Sequence, residues 1–126
     1  MNRIIRYFLI GLIAASCTQS NSIDQQLPGK YARGDSDRYA IFTDTLIFSK
    51  KPGQGENVFT VESRSVTRQL DDNDKPGEPQ FEKEPGTAIY HPDKKLLERL
   101  PDGQHYSVDL EKGIITNGEV TFKRVE

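Results

Sequence analysis

Hydrophobic and polar residues alternate along most of the chain in short runs. The longest run covers residues 57–70, where Phe59 and Val61 share one face while Val58 and Thr60 share the other. A period of two residues is that of a β-strand, because successive side chains of a strand point to opposite sides. Runs of similar composition, rich in aromatic and β-branched residues, predict further strands at residues 31–33, 38–42, 45–49, 80–83, 87–90, 105–110, 114–116 and 120–125.

Turn-forming residues separate these runs. Gly, Pro, Asn and Asp accept the backbone angles of tight turns, and such residues predict turns or breaks at residues 43–44, 50–55, 71–79, 85–86, 101–103 and 117–118. Short strands joined by short turns are typical of an antiparallel meander. The predicted fold is therefore all-β, with about eight strands that form a small barrel or a sandwich.

One segment, residues 94–100, fits two patterns. Its three leucines would lie on one face of a helix, and Asp93 could cap that helix. The segment has only seven residues and lies between Pro92 and Pro101, whereas helices in globular proteins average about 11 residues. We therefore expect a strand here as well.

The beginning of the chain has the three-part layout of an export signal. Arg3 and Arg6 precede an apolar run over residues 7–15, and small residues then lead to Cys17. The apolar run has nine residues, whereas a helix needs about 20 to span a bilayer. Residues 1–16 are therefore predicted to be a cleaved signal peptide rather than a membrane anchor.

The residues around Cys17 resemble a lipobox, the motif at which a bacterial lipoprotein receives its lipid. Ala14, Ala15 and Ser16 are small enough to fit a signal peptidase groove, and Cys17 offers the thiol that takes the diacylglyceryl group. Cys17 is also the only cysteine of the chain, and an unpaired thiol is uncommon in an exported protein. The alternative is an ordinary signal peptide that leaves Cys17 free. We expect lipidation of Cys17, which would anchor the protein to a membrane because two or more acyl chains bind stably.

Residues 17–27 separate the predicted lipid from a predicted β-domain of residues 28–126. Beyond Cys17 this segment is polar and lacks periodicity, and Asp24 is its one charged residue. Such a composition is typical of a flexible linker. We therefore expect a tether that ends where Pro28 and Gly29 open the domain.

The predicted β-domain contains four short motifs, Pro28-Gly29-x-Tyr31, Asp44-Thr45-Leu46-x-Phe48, Asp102-Gly103-x-x-Tyr106 and Asn117-Gly118-x-x-x-Phe122-x-Arg124. With these motifs the chain resembles a group of small lipoproteins of Bacteroidota. The resemblance implies a compact lipocalin-like β-barrel in the bacterial envelope, and it implies no particular activity. Lipoproteins of that group exported to the cell surface tend to carry an acidic cluster after the cysteine, whereas this chain has Asp24 alone. The expectation is an outer-membrane lipoprotein that faces the periplasm.

Composition argues against nucleic acid as a partner. The chain has 17 basic and 19 acidic residues, and removal of the signal peptide takes away Arg3 and Arg6 but no acidic residue, so the mature net charge is −4. Nucleic-acid-binding surfaces need clustered Lys and Arg. With a single cysteine the domain has no disulfide, so hydrophobic packing has to stabilise it.

Motifs that would carry catalysis or hold a cofactor are not found in the sequence. His91 and His105 lack the spacing of a metal site. The acidic residues 71–74 do not fit a calcium loop, since Lys75 or Pro76 stands at its fifth position. A Gly-x-Ser-x-Gly nucleophile motif is missing, and no carboxylate pair stands out as a glycosidase site. We therefore predict a protein that is not an enzyme and has no cofactor and no metal.

Aromatic residues of the predicted strands are the remaining candidates for function: Tyr31, Tyr39, Phe42, Phe48, Phe59 and Tyr106. Their simplest role is to fill the core, because a barrel of about eight strands is just wide enough for its own side chains. Alternatively they line a site for a small apolar ligand. The prediction is a lipid-anchored, non-enzymatic binding module for an envelope protein partner or a small apolar ligand. The alternatives are an accessory or immunity-type protein of an envelope machine and a small hydrolase.

Overall fold

The computed structural model describes residues 22–125, which form one short helix and eight strands. The helix is α1 (Ile23–Gln26). The strands, in chain order, are β1 (Gly29–Ser36), β2 (Ala40–Ser49), β3 (Val58–Gln69), β4 (Gln80–His91), β5 (Leu96–Leu100), β6 (Gln104–Asp109), β7 (Ile114–Asn117) and β8 (Val120–Arg124).

The eight strands close into a barrel. Each strand pairs antiparallel with the next in the sequence, and β8 pairs with β1 at Tyr31↔Arg124 and Ala32↔Lys123. Short connections favour this order, since they join neighbouring antiparallel strands. The structure confirms the predicted all-β meander of eight strands and selects the barrel over the sandwich.

Inward-facing side chains fill the barrel. Among residues 22–125, eleven hydrophobic residues are buried: Leu27, Tyr31, Leu46, Phe48, Phe59, Val61, Ala88, Leu97, Tyr106, Ile115 and Phe122. Tyr31 and Phe48 meet edge to face with their ring centroids 5.8 Å apart, a favourable arrangement for two aromatic rings. The interior is therefore a packed core, as a barrel of eight strands allows.

The start of the domain differs from the sequence prediction. The sequence predicts a flexible tether up to residue 27, whereas Ile23–Gln26 form α1 and Leu27 is fully buried in the barrel. The cause is tertiary, because burial of a leucine side chain contributes about 2 kcal/mol and the local pattern does not reveal it. The ordered domain therefore begins before Pro28.

β2 runs through the turn that the sequence predicts at residues 43–44. Thr43 and Asp44 pair with β1 on one side and β3 on the other. The Asp44 carboxylate accepts hydrogen bonds from Arg33 on β1 and Ser65 on β3, so it satisfies its acceptors within the strand. The two predicted strands are therefore one strand of 10 residues.

β4 likewise continues through residues 85–86, where the sequence predicts a break. Tyr90 donates its amide hydrogen to the Asn57 carbonyl beside β3. Because the direction of amide groups alternates along a strand, the nitrogen of Pro85 points away from β3. β5 pairs with β4 only from Thr87 onward, so Pro85 stands at an edge where its missing N–H costs no strand hydrogen bond. The predicted break is wrong for this reason.

Two further predictions concern the second half of the barrel. The strand expected within residues 94–100 is confirmed as β5. The turn expected at residues 117–118 lies one residue later, since Asn117 pairs with Val120 and Gly118 and Glu119 form the turn. Gly118 has a φ of 59°, a left-handed conformation that glycine adopts without strain.

Strands β1 to β4 extend beyond β5 to β8 at one end of the barrel. β4 pairs with β5 only from Thr87 onward, and β1 pairs with β8 only at Tyr31 and Ala32. The extension is a four-stranded ribbon of residues 33–36, 40–44, 63–69 and 80–86, and its β4 part is about 20 Å long at about 3.3 Å per residue. We call this end of the barrel the ribbon end, and the opposite end, where α1 lies, the helix end.

Candidate functional site

At the helix end, residues distant in the chain hold α1 and Leu27 against the barrel. The Tyr31 hydroxyl donates to the Leu27 carbonyl at 2.8 Å. Arg124 at the end of β8 donates to the carbonyls of Gln26 at 2.8 Å and Pro28 at 2.6 Å. These bonds occupy main-chain acceptors at the end of α1, which the helix itself leaves without a partner.

Folding changes the acidity of the Tyr31 hydroxyl. Its burial raises the pKa above the ordinary value of 10.0, and the Arg124 guanidinium, 5.5 Å from the ring centroid, opposes the shift. The hydroxyl therefore keeps its proton and its hydrogen bond to Leu27 up to strongly alkaline pH.

Asp24 ties α1 to the loop between β2 and β3. Its Oδ1 accepts hydrogen bonds from Lys50 Nζ at 3.2 Å and from the Asn57 amide at 2.9 Å. Lys50 Nζ also donates to the carbonyls of Gly55 and Val58. The one charged residue of the predicted tether is thus part of the hydrogen-bond network of the domain.

A groove of about 1130 Å³ opens beside α1 at the helix end. Ile23, Tyr90, Val108 and Leu110 form apolar parts of its lining where they pack against the core. Its other lining residues include both acids and bases, among them Glu56, Lys95, Asp109 and Glu111. This mixed rim favours no one class of ligand.

At the ribbon end, polar contacts cross the inner face of the ribbon. Arg33 Nε lies 3.0 Å from Asp44 Oδ2, and Ser65 Oγ donates to Asp44 Oδ1 at 2.9 Å. Both oxygens of Asp44 therefore have a partner, and its charge is balanced by Arg33.

Arg99 of β5 is a buried charged residue beneath the ribbon, and its side chain is only 7% exposed. Its Nη1 donates to Ser63 Oγ at 2.9 Å, and its Nη2 contacts the Glu84 carbonyl at 3.5 Å. The carboxylate oxygen beside it, Glu84 Oε2, lies 3.8 Å from Nη2, which is beyond hydrogen-bond distance. A Cβ at Gly86 would lie 3.3 Å from Arg99 Nε, so the glycine leaves room for the guanidinium.

An open pocket of about 340 Å³ lies at the ribbon end, along the β3–β4 pair. It is lined by Ser63, Ser65, Glu82, Lys83 and Glu84. Arg99 contacts two of these residues, Ser63 and Glu84, but does not itself line the pocket. Pockets for small ligands have volumes of about 300–1,000 Å³, and this cavity falls within that range.

The outer face of the ribbon has an apolar centre. Val66 of β3 pairs with Phe81 of β4, and Ile41 of β2 lies on the same face, two residues from Thr43, which pairs with Val66 on the other side. Phe81 is 72% exposed and Ile41 is 38% exposed. Large hydrophobic side chains on an open sheet face often mark a surface that another molecule covers.

Basic residues surround this apolar centre. Arg64 and Arg68 flank Val66 on β3, and Lys83 follows Phe81 at the next outward position of β4. Glu62, the outward residue of β3 just before the ribbon, lies 2.8 Å from Arg64 Nη2 and 3.8 Å from Lys83 Nζ. The outer face of the ribbon is therefore positively charged on balance.

The two histidines lie on either side of Glu98 on the outside of the barrel. His91 Nε2 is 3.7 Å from Glu98 Oε1, and His105 Nε2 is 3.3 Å from Glu98 Oε2. The spacing of the two histidines in the sequence does not indicate this proximity. The pairing of β4 with β5 and of β5 with β6 brings both histidines next to Glu98. Within residues 22–125, no group of three or more His, Cys, Asp or Glu side chains is arranged to hold a metal ion.

The six aromatic residues that the sequence singles out do not form one site. Tyr31, Phe48, Phe59 and Tyr106 are buried in the core. Phe42 is half-buried on the inner face of the ribbon, and Tyr39 is 70% exposed in the turn between β1 and β2. Four of the candidates therefore pack the barrel and two lie at the ribbon end.

Arg99 is the residue that sequence reasoning missed. Its signal was present, because Leu97 and Arg99 are two residues apart and share one face of β5. An arginine in phase with a core leucine indicates a buried charge as soon as the segment is taken as a strand. The three leucines of residues 94–100 also fit one face of a helix, and in a helix Leu97 and Arg99 would not share a face.

Cys17 and the predicted signal peptide of residues 1–16 lie outside the described residues, so lipidation and export stay predictions. In the part of the chain that the structure describes, no helix has the length and apolar character needed to cross a membrane. Comparison with protein-family models, with curated proteins and with solved structures finds no match to this chain. We therefore infer function from the geometry of the two barrel ends.

Proposed function

We propose that this protein is a lipid-anchored, non-enzymatic binding module of the bacterial envelope, which holds a protein partner through the outer face of its ribbon. The observation that carries the proposal is the exposed ring of Phe81 at the centre of that positively charged face. The partner would offer an acidic surface with an apolar depression for the ring.

The position of the predicted anchor supports this assignment. The chain enters the domain beside α1 at the helix end, and Cys17 precedes Ser22 by five residues. Five extended residues span at most about 18 Å, so a lipid on Cys17 would keep the helix end near the membrane. The ribbon would then point away from the membrane toward partners in the compartment.

The packing of the barrel favours a protein partner over a small apolar ligand. The eleven buried hydrophobic residues occupy the interior. The two cavities described above lie at the barrel ends, and charged residues contribute to both linings. An apolar ligand would find its best surroundings in the interior, which the protein's own side chains fill.

The composition of the outer face fits protein recognition. Aromatic residues and arginine contribute most to binding energy at interfaces, and Phe81 lies between Lys83 and the two arginines of β3. Opposite charges accelerate association and set partner choice more than they raise affinity. Binding of the partner should therefore weaken as salt is raised.

Site-specific photocrosslinking tests the proposal. A photoreactive amino acid in place of Phe81 in the full chain, expressed in its native cells, should give one discrete adduct. The same residue in place of Lys112, in the turn between β6 and β7, is the control and should not give that adduct. The pair of charge reversals Arg64→Glu and Arg68→Glu should abolish the Phe81 adduct. No adduct from Phe81, or the same adduct from Lys112, would count against binding through the ribbon.

The anchor is tested separately by Cys17→Ala. The variant should leave the membrane fraction and appear in the soluble fraction, because the thiol that takes the lipid is gone. If the variant stayed in the membrane fraction after a high-salt wash, lipid anchoring at Cys17 would be wrong.

A further inference from the structure

We infer that the protein partner contributes an extended strand, which pairs antiparallel with the open edge of β4 over residues 81–85. This strand would carry an acidic residue opposite Lys83, a basic residue on each side of the acidic one, and apolar residues beyond. The inference rests on the proposed function, since it describes how a partner on the ribbon is held.

Closing a sheet into a barrel removes its open edges, but the ribbon restores one on β4. β3 pairs with one side of β4 over residues 80–89, whereas β5 pairs with the other side only from Thr87 onward. Within residues 22–125, no strand pairs with residues 80–86 on that second side. Residues 80–85 are all exposed, so an edge about 20 Å long is open to a further strand.

Phe81 and Lys83 direct their main-chain groups to this edge. Tyr90 donates its amide hydrogen to the Asn57 carbonyl beside β3, and the register of β3 with β4 has no interruption. Because amide direction alternates along a strand, even-numbered residues of β4 face β3 and odd-numbered residues face the edge. Phe81 and Lys83 therefore each present a donor and an acceptor, and Pro85 presents an acceptor.

The other edge of the ribbon, on β1, offers much less. Lys30 faces β8, because its carbonyl accepts a hydrogen bond from the Val125 amide, so Gly34 and Ser36 face the open side by the same alternation. The Ser36 amide donates to Asp35 Oδ1 instead. β4 is therefore the edge with room for a strand.

Like charges disfavour pairing of this edge with a second copy of the chain. Symmetric antiparallel pairing of two β4 edges places the central residue opposite its own copy. Centres at Glu82, Lys83 or Glu84 would each bring two identical charges together, which destabilises a cross-strand pair. A strand from a different protein avoids this repulsion.

Lys83 favours an acidic residue on the added strand. It lies directly opposite Arg64 of β3 on the outer face, and like charges in a cross-strand pair repel each other. Its Nζ is 3.8 Å from Glu62 Oε1, and its side chain is 65% exposed. This distance is beyond that of a hydrogen bond, so a carboxylate opposite Lys83 would make a new and favourable contact.

Glu82 and Glu84 favour basic residues on the opposite face of the added strand. Both line the open pocket along the β3–β4 pair, where Lys83 is the one basic residue of the lining, so the lining is negative on balance. Arg99 Nη2 is 3.8 Å from Glu84 Oε2, and the Glu84 side chain is 69% exposed. Both carboxylates can therefore accept hydrogen bonds from lysine side chains of the partner.

Amide hydrogen exchange of the full chain in detergent tests the inference with defined peptides. The probe is a blocked peptide with the core Val-Lys-Glu-Lys-Val, whose glutamate would lie opposite Lys83. At about ten times its dissociation constant, it should slow exchange of the Phe81 and Lys83 amides about tenfold, because they exchange from the free fraction. The amides of Glu82 and Glu84 already face β3 and should change much less.

Two control peptides separate strand pairing from other contacts. The core Val-Glu-Lys-Glu-Val places a like charge opposite each charged residue of the edge. N-methylation of the glutamate in the matched peptide removes its central main-chain donor. Both controls should bind at least about tenfold more weakly. A matched peptide that leaves exchange at Phe81 and Lys83 unchanged, or controls that bind as tightly, would overturn the inference.

Proline at the edge separates this inference from the proposed function. Lys83→Pro removes the edge N–H and the charge but no hydrogen bond to β3, whereas Lys83→Gln removes the charge alone. In the photocrosslinking experiment, Lys83→Pro should abolish the adduct from Phe81, and Lys83→Gln should weaken it.

An adduct that Lys83→Pro reduces no more than Lys83→Gln does would overturn strand addition and leave binding through the outer face standing. An adduct of two copies of this chain would assign the edge to self-pairing and also overturn the inference. Absence of any adduct from Phe81 would instead count against the proposed function. If Lys83→Pro does not fold, the peptide measurements on the unaltered chain decide the inference.

Discussion

The hydroxyl of Tyr31 donates a 2.8 Å hydrogen bond to the carbonyl of Leu27, and both residues are fully buried. The bond joins the first strand of the barrel to the segment that closes its helix end. Buried main-chain carbonyls need a partner, and here a core side chain supplies it. The residues just before β1 are therefore part of the folded domain.

Leu27→Ala should destabilise the protein by about 3 kcal/mol, because it removes buried methyl groups and leaves a cavity at the helix end. Urea unfolding at neutral pH measures this change. Leu100→Ala is the matched control, since Leu100 is 37% exposed and should cost less than about 1 kcal/mol. A loss below about 1 kcal/mol for Leu27→Ala would mean that the segment does not contribute to the core.

The stability should fall at alkaline pH, and Tyr31 should be one cause. Burial raises the pKa of Tyr31 in the folded state above the ordinary value of 10.0. Between the unfolded and the folded pKa the unfolded chain releases a proton that the folded chain retains, so a rise in pH favours unfolding. The contribution of Tyr31 to stability is complete below its pKa in the unfolded chain, and it is lost as pH rises through its pKa in the folded protein.

Tyr31→Phe isolates this effect. The variant should be less stable by about 1 kcal/mol at neutral pH, because the Leu27 carbonyl loses its donor. Its stability should fall less steeply than that of the unaltered protein above pH 10. Urea unfolding in a pH series measures the free energy of unfolding of both proteins. If this free energy fell equally steeply above pH 10 in the variant and in the unaltered protein, the role given to Tyr31 would be wrong.

Gly86→Ala should destabilise the barrel by about 2 kcal/mol, the typical cost of overpacking. The added Cβ would lie 2.9 Å from the Leu100 carbonyl oxygen and 3.3 Å from Arg99 Nε. Because the nearer atom is main chain, β4 and β5 would have to move apart. Gly55→Ala is the control, as a Cβ there meets nothing within 4 Å, and thermal unfolding of the two variants should separate them clearly. Equal melting temperatures of Gly86→Ala and Gly55→Ala would show that β4 and β5 accommodate the added methyl group without loss of stability.

Arg99→Met should leave the free energy of unfolding unchanged or raise it by about 1 kcal/mol, since an apolar chain of similar length avoids the cost of burying a charge. Ser63→Ala should instead destabilise by about 1 kcal/mol, because it keeps the buried guanidinium and removes an acceptor. Chemical denaturation of both variants tests the contrast. A loss of more than about 3 kcal/mol for Arg99→Met would mean that the contacts of Arg99 with β3 and β4 outweigh the cost of burying its charge.

Much of the fold could be predicted from local patterns, whereas the candidate sites could not. Alternation over residues 57–70 predicted β3 with its buried face, since Phe59 and Val61 are buried. The exposure of Phe81 follows from its outward position on β4, which the register of β4 with β3 decides. The meeting of Arg99 with Ser63 depends on β5 and β3 facing the same interior, 36 residues apart in the chain.

Local patterns are enough to predict an antiparallel meander, because the period of the side chains and the spacing of turn residues act over a few neighbours. Tertiary structure decided where strands continue and where they end. Strand pairing carried β2 through Asp44 and β4 through Pro85, against their local tendency to turn. It also decided that Leu27 enters the core and that Arg99 lies beneath the ribbon. Burial and pairing between distant segments outweigh local propensities of a few tenths of a kcal/mol to about 1 kcal/mol.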